Sequence, residues 1–244
     1  MKIEDSVILI TGASDRVGKE ITLKLSAKGA KIIIHYNKNE AKAEETAKKI
    51  ISKGQIVKII QGDLKLQKDW EKIKSEILND FERIDVLINN AAIFYKTPLF
   101  TTSESDWDNF INLNLKGIFW GSKILGEIMF KQKAGKIINI SDIAGETVWA
   151  DYIPYCVSKA GVFALTRGLA KALAPHVLVN CIAPGTVLLA ENYNKDEEQA
   201  LIDRTPLKRV GAVEDIAATT AFLIEGSDFI TGAVIKVDGG RSIV

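Results

Sequence analysis

Residues 7–18 have the sequence VILITGASDRVG. The four aliphatic side chains at 7–10 predict a short strand that is buried on both faces. Gly12 would permit the tight turn that follows, and Gly18 would let the next helix pack closely against the strand. The free N–H groups and positive dipole at the start of that helix favour a pyrophosphate. The stretch predicts the first unit of a nucleotide-binding α/β fold, although two glycines also suit a turn without a ligand.

The alternation of strand and helix signals continues along the chain. Further strand-like runs lie at 31–36, 56–60, 84–88, 136–140, 177–182 and 234–237. Helix-like amphipathic stretches lie at 17–28, 40–53, 66–80, 107–131, 155–173 and 213–224. We therefore expect a single α/β domain over residues 1–244, with a doubly wound, mostly parallel Rossmann-type sheet. The longest stretch without a clear pattern, 184–211, predicts a substrate loop.

The composition is that of an ordinary globular protein: 244 residues, 47% hydrophobic and 26% charged, with a formal net charge of +1. The lysines are scattered, so no basic patch indicates nucleic acid or a membrane surface as a partner. The first ten residues lack the layout of a signal peptide, and no apolar run reaches the roughly 18 residues that span a bilayer. We expect a cytoplasmic protein.

The cysteines and histidines are too few for several kinds of site. Cys156 and Cys181 have no CxxC spacing, and His35 and His176 are the only histidines. Neither a metal site nor Ser-His-Asp chemistry is expected from this set.

The residues after the second predicted strand bear on the choice of cofactor. Residues 35–39 are His-Tyr-Asn-Lys-Asn. An NAD-specific site normally has an acidic side chain here, which binds the ribose 2'-hydroxyl. The acid is missing and Lys38 supplies a cation, so NADPH, which carries a 2'-phosphate, fits better. Asp15 argues the other way, because its charge lies close in sequence to the phosphate turn.

Tyr155 and Lys159 are candidates for proton transfer. Their i, i+4 spacing puts the phenol and the ammonium on one face of a predicted helix. A free phenol has a pKa of about 10, and a cation roughly 4 Å away would lower that pKa towards neutrality. The pair predicts a tyrosine that exchanges a proton near the working pH, although this spacing alone is common by chance.

Several motifs occur together and in a fixed order, from the turn at 11–18 to Val-Asp-Gly-Gly at 237–240. Between them lie Asp63, Asn89-Asn90-Ala91, Asn114, Tyr155 with Lys159, and Pro184-Gly185. In this arrangement the whole chain resembles the short-chain dehydrogenase/reductase family. The resemblance implies an NADP(H)-dependent oxidoreductase acting on a small molecule. It also implies a homotetramer packed through the long helices near 107–131 and 155–173.

The resemblance assigns roles to individual residues. Asp63 would lie near the adenine, Asn114 would hold a water of the proton relay, Lys159 would hold the nicotinamide ribose, and Tyr155 would deliver the proton. Asn89 and Asn90 would support the nucleotide cleft. The expected cofactor contacts are Gly12, Ser14, Arg16, Val17, Gly18, His35, Tyr36, Asn37, Lys38, Asp63, Leu64, Asn90, Ala91, Tyr155, Lys159, Pro184 and Gly185.

One position departs from the family pattern: the usual catalytic serine stands 13 residues before the tyrosine, and here that residue is Asp142. In this respect the chain is most similar to the pteridine reductases. Arg16 in the glycine turn and the segment 89–99, with Phe94, are further similarities. In those enzymes the residues matching Phe94 and Arg16 contact the pterin. Ala92 and Asp15 depart from the pattern of those enzymes too.

An acid at this position suits the reduction of a ring C=N bond, which needs a proton on nitrogen. If partly desolvated, Asp142 would keep its proton above the free pKa of about 3.9 and act as a donor. A plainer alternative is that Asp142 only caps the turn after its strand, and that Phe94 only lines the core. Candidate substrate contacts are Arg16, Phe94, Asp142, Tyr155 and, in the long loop, Leu188 with Leu189.

Three functions therefore compete. The first is an NADPH-dependent reductase of dihydropterin or dihydrofolate-like substrates. The second is a carbonyl reductase such as the 3-oxoacyl carrier-protein reductases, against which a charged Asp142 would argue by opposing the negative charge on the reduced oxygen. The third is a catalytically idle nucleotide-binding sensor, against which the presence of Tyr155, Lys159 and Asn114 argues.

Overall fold

The protein is described here by a computed structural model that covers residues 1–187 and 195–244. Within these residues, parallel strands form one sheet in the order β3-β2-β1-β4-β5-β6-β7. The order reverses between β1 and β4, which is the place where doubly wound sheets bind ligands. The strands are β1 (Val7–Thr11), β2 (Lys31–Tyr36), β3 (Val57–Gln61), β4 (Val86–Asn89), β5 (Gly135–Ile140), β6 (Val177–Pro184) and β7 (Val234–Val237).

Helices cover both faces of the sheet. One core contains buried side chains of α1, α2 and α9, and the opposite core contains those of α3, α5 and α7. Alternate β1 residues point into each core, Ile8 and Ile10 into the first and Val7 and Leu9 into the second. The helices are α1 (Arg16–Ser26), α2 (Glu40–Ile51), α3 (Gln67–Phe81), α4 (Glu104–Ile111), α5 (Ile118–Gln132), α6 (Ala144–Thr147), α7 (Ile153–Leu173), α8 (Lys195–Asp203) and α9 (Val213–Glu225).

The structure confirms the predicted fold class and all the predicted strands, and it differs in two places. The expected long helix over 107–131 is divided by a π-helical segment, Asn112–Gly117, between α4 and α5. The expected loop over 184–211 contains α8, whose nine residues have no buried side chain and therefore little apolar periodicity. Leu188 and Leu189 lie outside the described residues.

Two classes of site or segment are not found in the described parts of the chain. No helix within 1–187 or 195–244 is long and apolar enough to cross a membrane. The same residues contain no group of three or more His, Cys, Asp or Glu side chains that could hold a metal ion.

Candidate active site

Tyr155, Asp142 and Lys159 meet at the carboxyl ends of the central strands. Asp142 follows β5, while Tyr155 and Lys159 lie one turn apart at the start of α7. The Tyr155 hydroxyl donates to Oδ2 of Asp142 at 2.8 Å. Lys159 Nζ donates to the carbonyl of Ile140 at 3.2 Å and lies 5.6 Å from the centre of the Tyr155 ring. The predicted proximity of phenol and ammonium is confirmed, and a carboxyl group joins them.

The expected direction of the Tyr155 pKa is wrong. Burial raises this pKa well above 10, and the negative charge of Asp142 and the hydrogen bond to it raise it further. Burial likewise lowers the pKa of Lys159. The phenol therefore stays protonated, which suits a group that donates a proton.

Asp142 lies next to Tyr155, as its predicted catalytic role requires, and it also caps the turn after β5, which the sequence left as the alternative. Its Oδ1 accepts a hydrogen bond from the backbone N–H of Ala144 at 2.8 Å, and its Oδ2 accepts from Tyr155. Burial raises the pKa of Asp142, against the opposing effect of these hydrogen bonds and of Lys159. The neutral acid consequently persists to a higher pH than in a free side chain.

Ser141 is excluded as the partner of the tyrosine. Its hydroxyl donates to the backbone carbonyl of Lys159 at 2.9 Å, and its own N–H donates to Ile182. The side chain thus connects the end of β5 to α7. Asp142 alone of this pair contacts Tyr155.

The π-helical segment positions Asn114. This side chain is fully buried, and its Oδ1 accepts from the backbone N–H of Ile93 at 2.9 Å. Its Nδ2 lies within hydrogen-bonding distance of the Ile93 carbonyl and of the Ser158 hydroxyl. The amide thus joins the segment after β4 to α7, a positioning role that is visible here, while its predicted role toward a relay water stays a prediction. π-helical segments often mark functional sites.

Aromatic rings form one wall beside the phenol. Phe94 stacks on Tyr152, with ring centres 4.8 Å apart and planes 1° apart, and meets Tyr155 edge to face at 4.8 Å. Trp149 lies edge to face with Phe94 at 6.4 Å. Phe94 remains 52% exposed, so it is no core residue. The wall offers a flat apolar surface next to the proton donor.

A cleft of about 600 Å³ opens beyond Trp149. Its basic lining was not anticipated from the sequence, because its residues are scattered and belong to no motif. The positive charge of Arg241 reaches Asp142 and partly offsets the raised pKa of that acid. The lining residues are Thr147, Trp149, Asp203, Arg204, Pro206, Lys208, Arg241 and Val244.

The glycine turn is tight and closely packed, as the sequence predicts, and it contacts the residues that follow β4. Gly12 has φ +61°, and a Cβ there would lie 2.9 Å from Cα of Ala91. A Cβ on Gly18 would lie 2.3 Å from the Gly12 carbonyl oxygen, so the helix can approach only without a side chain. Asn90 Nδ2 donates to the carbonyls of Thr11 and Gly12. These contacts hold the N-terminus of α1 at the switch point, where a dinucleotide would fit.

His35 is buried against this turn, where its ring contacts backbone groups and would not act as a cationic ligand of a phosphate. Its Nδ1 accepts from Gly12 N–H at 3.4 Å and its Nε2 faces the Gly62 carbonyl at 3.0 Å. Burial lowers the pKa of His35 to about 4, so the ring is neutral near pH 7. The Tyr36 hydroxyl donates to Glu40 at 2.8 Å. Asn37 and Lys38 are exposed at the end of β2, where the sequence places the ribose.

The remaining candidates divide into exposed and buried groups. Arg16 begins α1 with an exposed side chain beside the turn, and its role as a substrate contact stays a prediction. Asp63 Oδ1 accepts from the Lys65 N–H, whereas the Leu64 side chain is buried in the core, so only its backbone is open to a cofactor role. Ser14, Val17, Ala91, Pro184 and Gly185 are at the carboxyl ends of strands or in the turn, as expected.

Comparisons with known proteins show similarity over nearly the whole chain. Residues 12–242 match the family model described as "Enoyl-(Acyl carrier protein) reductase". The chain is 36% identical to a 3-oxoacyl-[acyl-carrier-protein] reductase of Synechocystis, covering 96% of both chains. It is 34% identical to such a reductase of Staphylococcus aureus, covering 98% of this chain and 99% of that one. A crystal structure of a proposed gluconate dehydrogenase from Agrobacterium tumefaciens superposes with TM-score 0.95 at 28% identity, covering 100% and 98%.

Proposed function

The chain belongs to the short-chain dehydrogenase/reductase family of oxidoreductases, and we propose that it reduces a polarised double bond with NADPH. The observation that carries this proposal is the 2.8 Å hydrogen bond between the Tyr155 hydroxyl and the Asp142 carboxyl. Both groups have raised pKa values, so each keeps its proton to a higher pH than the free side chain does. Two proton donors therefore converge beside the cleft, an arrangement that suits an oxygen or nitrogen on which negative charge develops.

The residues divide the chemistry among them. Bound NADPH would supply a hydride to the electrophilic carbon and leave as NADP⁺. The electron pair of the double bond moves to the oxygen or nitrogen, which takes a proton from Tyr155. Asp142 donates a hydrogen bond to the same atom and lies where it can return a proton to the phenolate. Lys159 supports the resulting negative charge on Tyr155 from the ring face.

The substrate class we put first is a 3-oxoacyl thioester, because the curated relatives described above carry that activity in their names. The objection to a thioester substrate is that a charged Asp142 would face the new oxyanion. The raised pKa of Asp142 weakens that objection, because a neutral carboxyl donates a hydrogen bond as a serine hydroxyl does. The similarity to pteridine reductases at single positions is weaker support than full-length similarity to named relatives.

A reduced pteridine ring is the second candidate, and the aromatic wall favours it. About half of the Phe94 side chain is exposed, and its ring centre lies 4.8 Å from that of Tyr155. A flat heterocycle could stack on this surface. Asp142 offers such a ring both an acceptor and a proton donor. A linear thioester makes less use of either feature.

One parallel assay separates the candidates: NADPH absorbance is followed with acetoacetyl thioester, dihydrobiopterin and dihydrofolate. The wild type should consume NADPH with the thioester. Asp142→Ser should retain thioester reduction, because a hydroxyl replaces a neutral acid, but it should lose reduction of a ring that needs the acid. Phe94→Ala should affect only the ring substrates.

Each alternative has its own result. NADPH consumption with the pterins alone would overturn the thioester proposal in favour of the second candidate. Cofactor binding without consumption of any of the three would support the idle sensor.

We also propose that the protein assembles as a homotetramer through α4, α5 and α7. Large apolar side chains on these helices are 39–43% exposed in the single chain: Trp107, Phe119, Phe130 and Val157. Such exposure on long helices favours burial against a second copy. Light scattering should give a mass four times that of one chain, and a monomer mass would contradict the proposal.

A further inference from the structure

Helices α1 and α2 meet beside the phosphate turn, and an ion pair joins their N-terminal ends. The ammonium of Lys42, in the first turn of α2, contacts Oδ2 of Asp15. The other oxygen of Asp15 accepts the Arg16 N–H at 2.9 Å as the N-cap of α1. Asp15 therefore stands at the N-terminus that the nucleotide phosphates would approach, and Lys42 is its partner from the neighbouring helix.

The charges around this point are mixed in sign. The acids are Asp15 and Glu40, the latter holding the Tyr36 hydroxyl at 2.8 Å. Lys19 faces the same region from α1 but pairs with Glu45 at 3.2 Å. The remaining cations on the turn, the end of β2 and the start of α2 are Arg16, Lys38 and Lys42.

We propose that Lys42 is a specificity-determining residue for the cofactor, because it neutralises Asp15 and so allows the 2'-phosphate of NADPH to approach the turn. The inference rests on the proposed NADP(H) preference and names the pair that produces it. Lys42 does not belong to the glycine turn or to residues 35–39, so no motif in the sequence points to it. Only the packing of α2 on α1 brings it to Asp15.

The physical reason is the charge carried by the added phosphate. A phosphate monoester carries about −1.5 to −2 charges near pH 7. An uncompensated Asp15 would repel the pyrophosphate that both cofactors share, and it would repel NADPH more than NADH, because only NADPH adds the 2'-phosphate. Both side chains are about half exposed, 49% for Lys42 and 52% for Asp15. Their effect should therefore weaken as salt is added.

The test measures dissociation constants of NADPH and NADH by the change in reduced-nicotinamide fluorescence on binding, at low and high salt. Lys42→Gln should weaken NADPH binding by about tenfold or more, and NADH binding by less, because the charge of Asp15 is then no longer neutralised beside the cofactor phosphates. Asp15→Asn in the Lys42→Gln background should recover most of the lost affinity for NADPH. The recovery should shrink at high salt.

Lys49→Gln is the matched control. Lys49 lies on the same helix and pairs with Glu45 at 2.8 Å, away from the turn. It should leave both dissociation constants unchanged, and thermal unfolding of each variant without cofactor reports any loss of fold.

The outcomes separate the two claims. A wild type that binds NADH more tightly overturns the proposed cofactor preference itself. A wild type that prefers NADPH, with Lys42→Gln weakening both cofactors equally or matching Lys49→Gln, keeps the preference and overturns the role of Lys42.

Discussion

The hydroxyl of Tyr155 donates to a carboxyl group, and this partner determines what the tyrosine can do. Burial and Asp142 both raise the pKa of the phenol. In the proposed reaction, Tyr155 therefore keeps its proton until a more basic atom of the product accepts it. An alkoxide or ring amide anion is a much stronger base than a phenolate, so the transfer still runs towards product. The same shift disfavours the reverse reaction near neutral pH, which would need the phenolate as a base. We therefore expect the site to favour reduction, in agreement with the proposed function.

Removing the hydroxyl tests this role. Tyr155→Phe should lower kcat for NADPH-dependent reduction by about 10²–10⁴-fold, the usual contribution of a positioned acid. The affinity for NADPH should change little, because the ring and Lys159 remain. Steady-state kinetics with the substrate identified by the parallel assay, together with fluorescence titration of NADPH, measures both. Reduction at close to the wild-type rate would show that another group delivers the proton.

The Asp142 carboxyl should control the pH dependence of the rate. Burial raises its pKa, so the neutral form dominates below that raised pKa and is lost as pH rises through it. We expect kcat to be highest at pH values below the raised pKa of Asp142 and to fall as the pH rises through it, which gives the pH-rate profile a descending limb. Asp142→Asn, whose amide does not titrate, should be slower and should lack the limb. A pH-rate profile with the same descending limb in both proteins would assign it to a different group.

The sequence was sufficient to place these residues but not to set their protonation. The i, i+4 spacing put Tyr155 and Lys159 on one face, and the resemblance pointed to Asp142. The direction of the phenol pKa depends on burial and on which oxygen the hydroxyl contacts, and neither is a property of spacing. For the same reason His35 could be placed near the turn, but its neutral state could not be foreseen.

At the scale of elements, the sequence predicted the strands, many of which have glycines at their ends. It did not predict where a helix departs from regular α-helical geometry. The π-helical segment Asn112–Gly117 lies within a stretch that has ordinary helical periodicity in the sequence, and it turns Asn114 inward to Ile93. A Cβ on Gly117 would lie 3.0 Å from the Leu64 carbonyl oxygen. The close approach of the loop after β3 is therefore part of the cause of the π-helical segment. Such an approach exists only once α5 has packed on the sheet.

Close packing of α5 on α3 depends on Gly121. A Cβ at this position would lie 2.4 Å from Cη2 of Trp70, which is fully buried. Gly121→Ala should therefore destabilise the fold by about 1–3 kcal/mol through overpacking, although alanine is the better helix former by about 1 kcal/mol. Urea unfolding followed by circular dichroism measures the change.

Gly168, an exposed glycine inside α7, is the control. An ideal Cβ there has no atom within 4 Å. Gly168→Ala should stabilise the fold by about 0.5–1 kcal/mol, the ordinary gain for a helical glycine. If both substitutions stabilise, Trp70 has room to move and the packing argument fails.

On the scale of the whole molecule, two apolar cores enclose the sheet, and polar groups buried between them must find partners. The sequence predicted the sheet because its strand runs are apolar on both faces. It could not show which polar side chains would be enclosed. His35 is the clearest case, since it lies 2% exposed between the turn and the end of β3. The stability of the entire chain should respond to its titration.

Acid should weaken the fold through this one ring. Unfolding releases His35 to its ordinary pKa of 6.5, whereas in the folded protein the pKa is about 4. Between these values the unfolded chain binds a proton that the folded chain does not, so stability falls as pH drops from about 6.5 to 4, by about 3 kcal/mol in all. Below about pH 4 both forms are protonated and this loss ends.

The comparison of His35→Gln with wild type isolates the effect from the carboxylates, which titrate in both proteins. The variant should be less stable near pH 7, because glutamine fills the site poorly, and it should lose less stability on acidification. Urea titrations at a series of pH values give the free energy of unfolding of each protein. The difference between wild type and His35→Gln should become steadily smaller as the pH falls from about 6.5 to 4. Parallel curves for wild type and His35→Gln would mean that the imidazole is hydrated and titrates equally in the folded and unfolded chains.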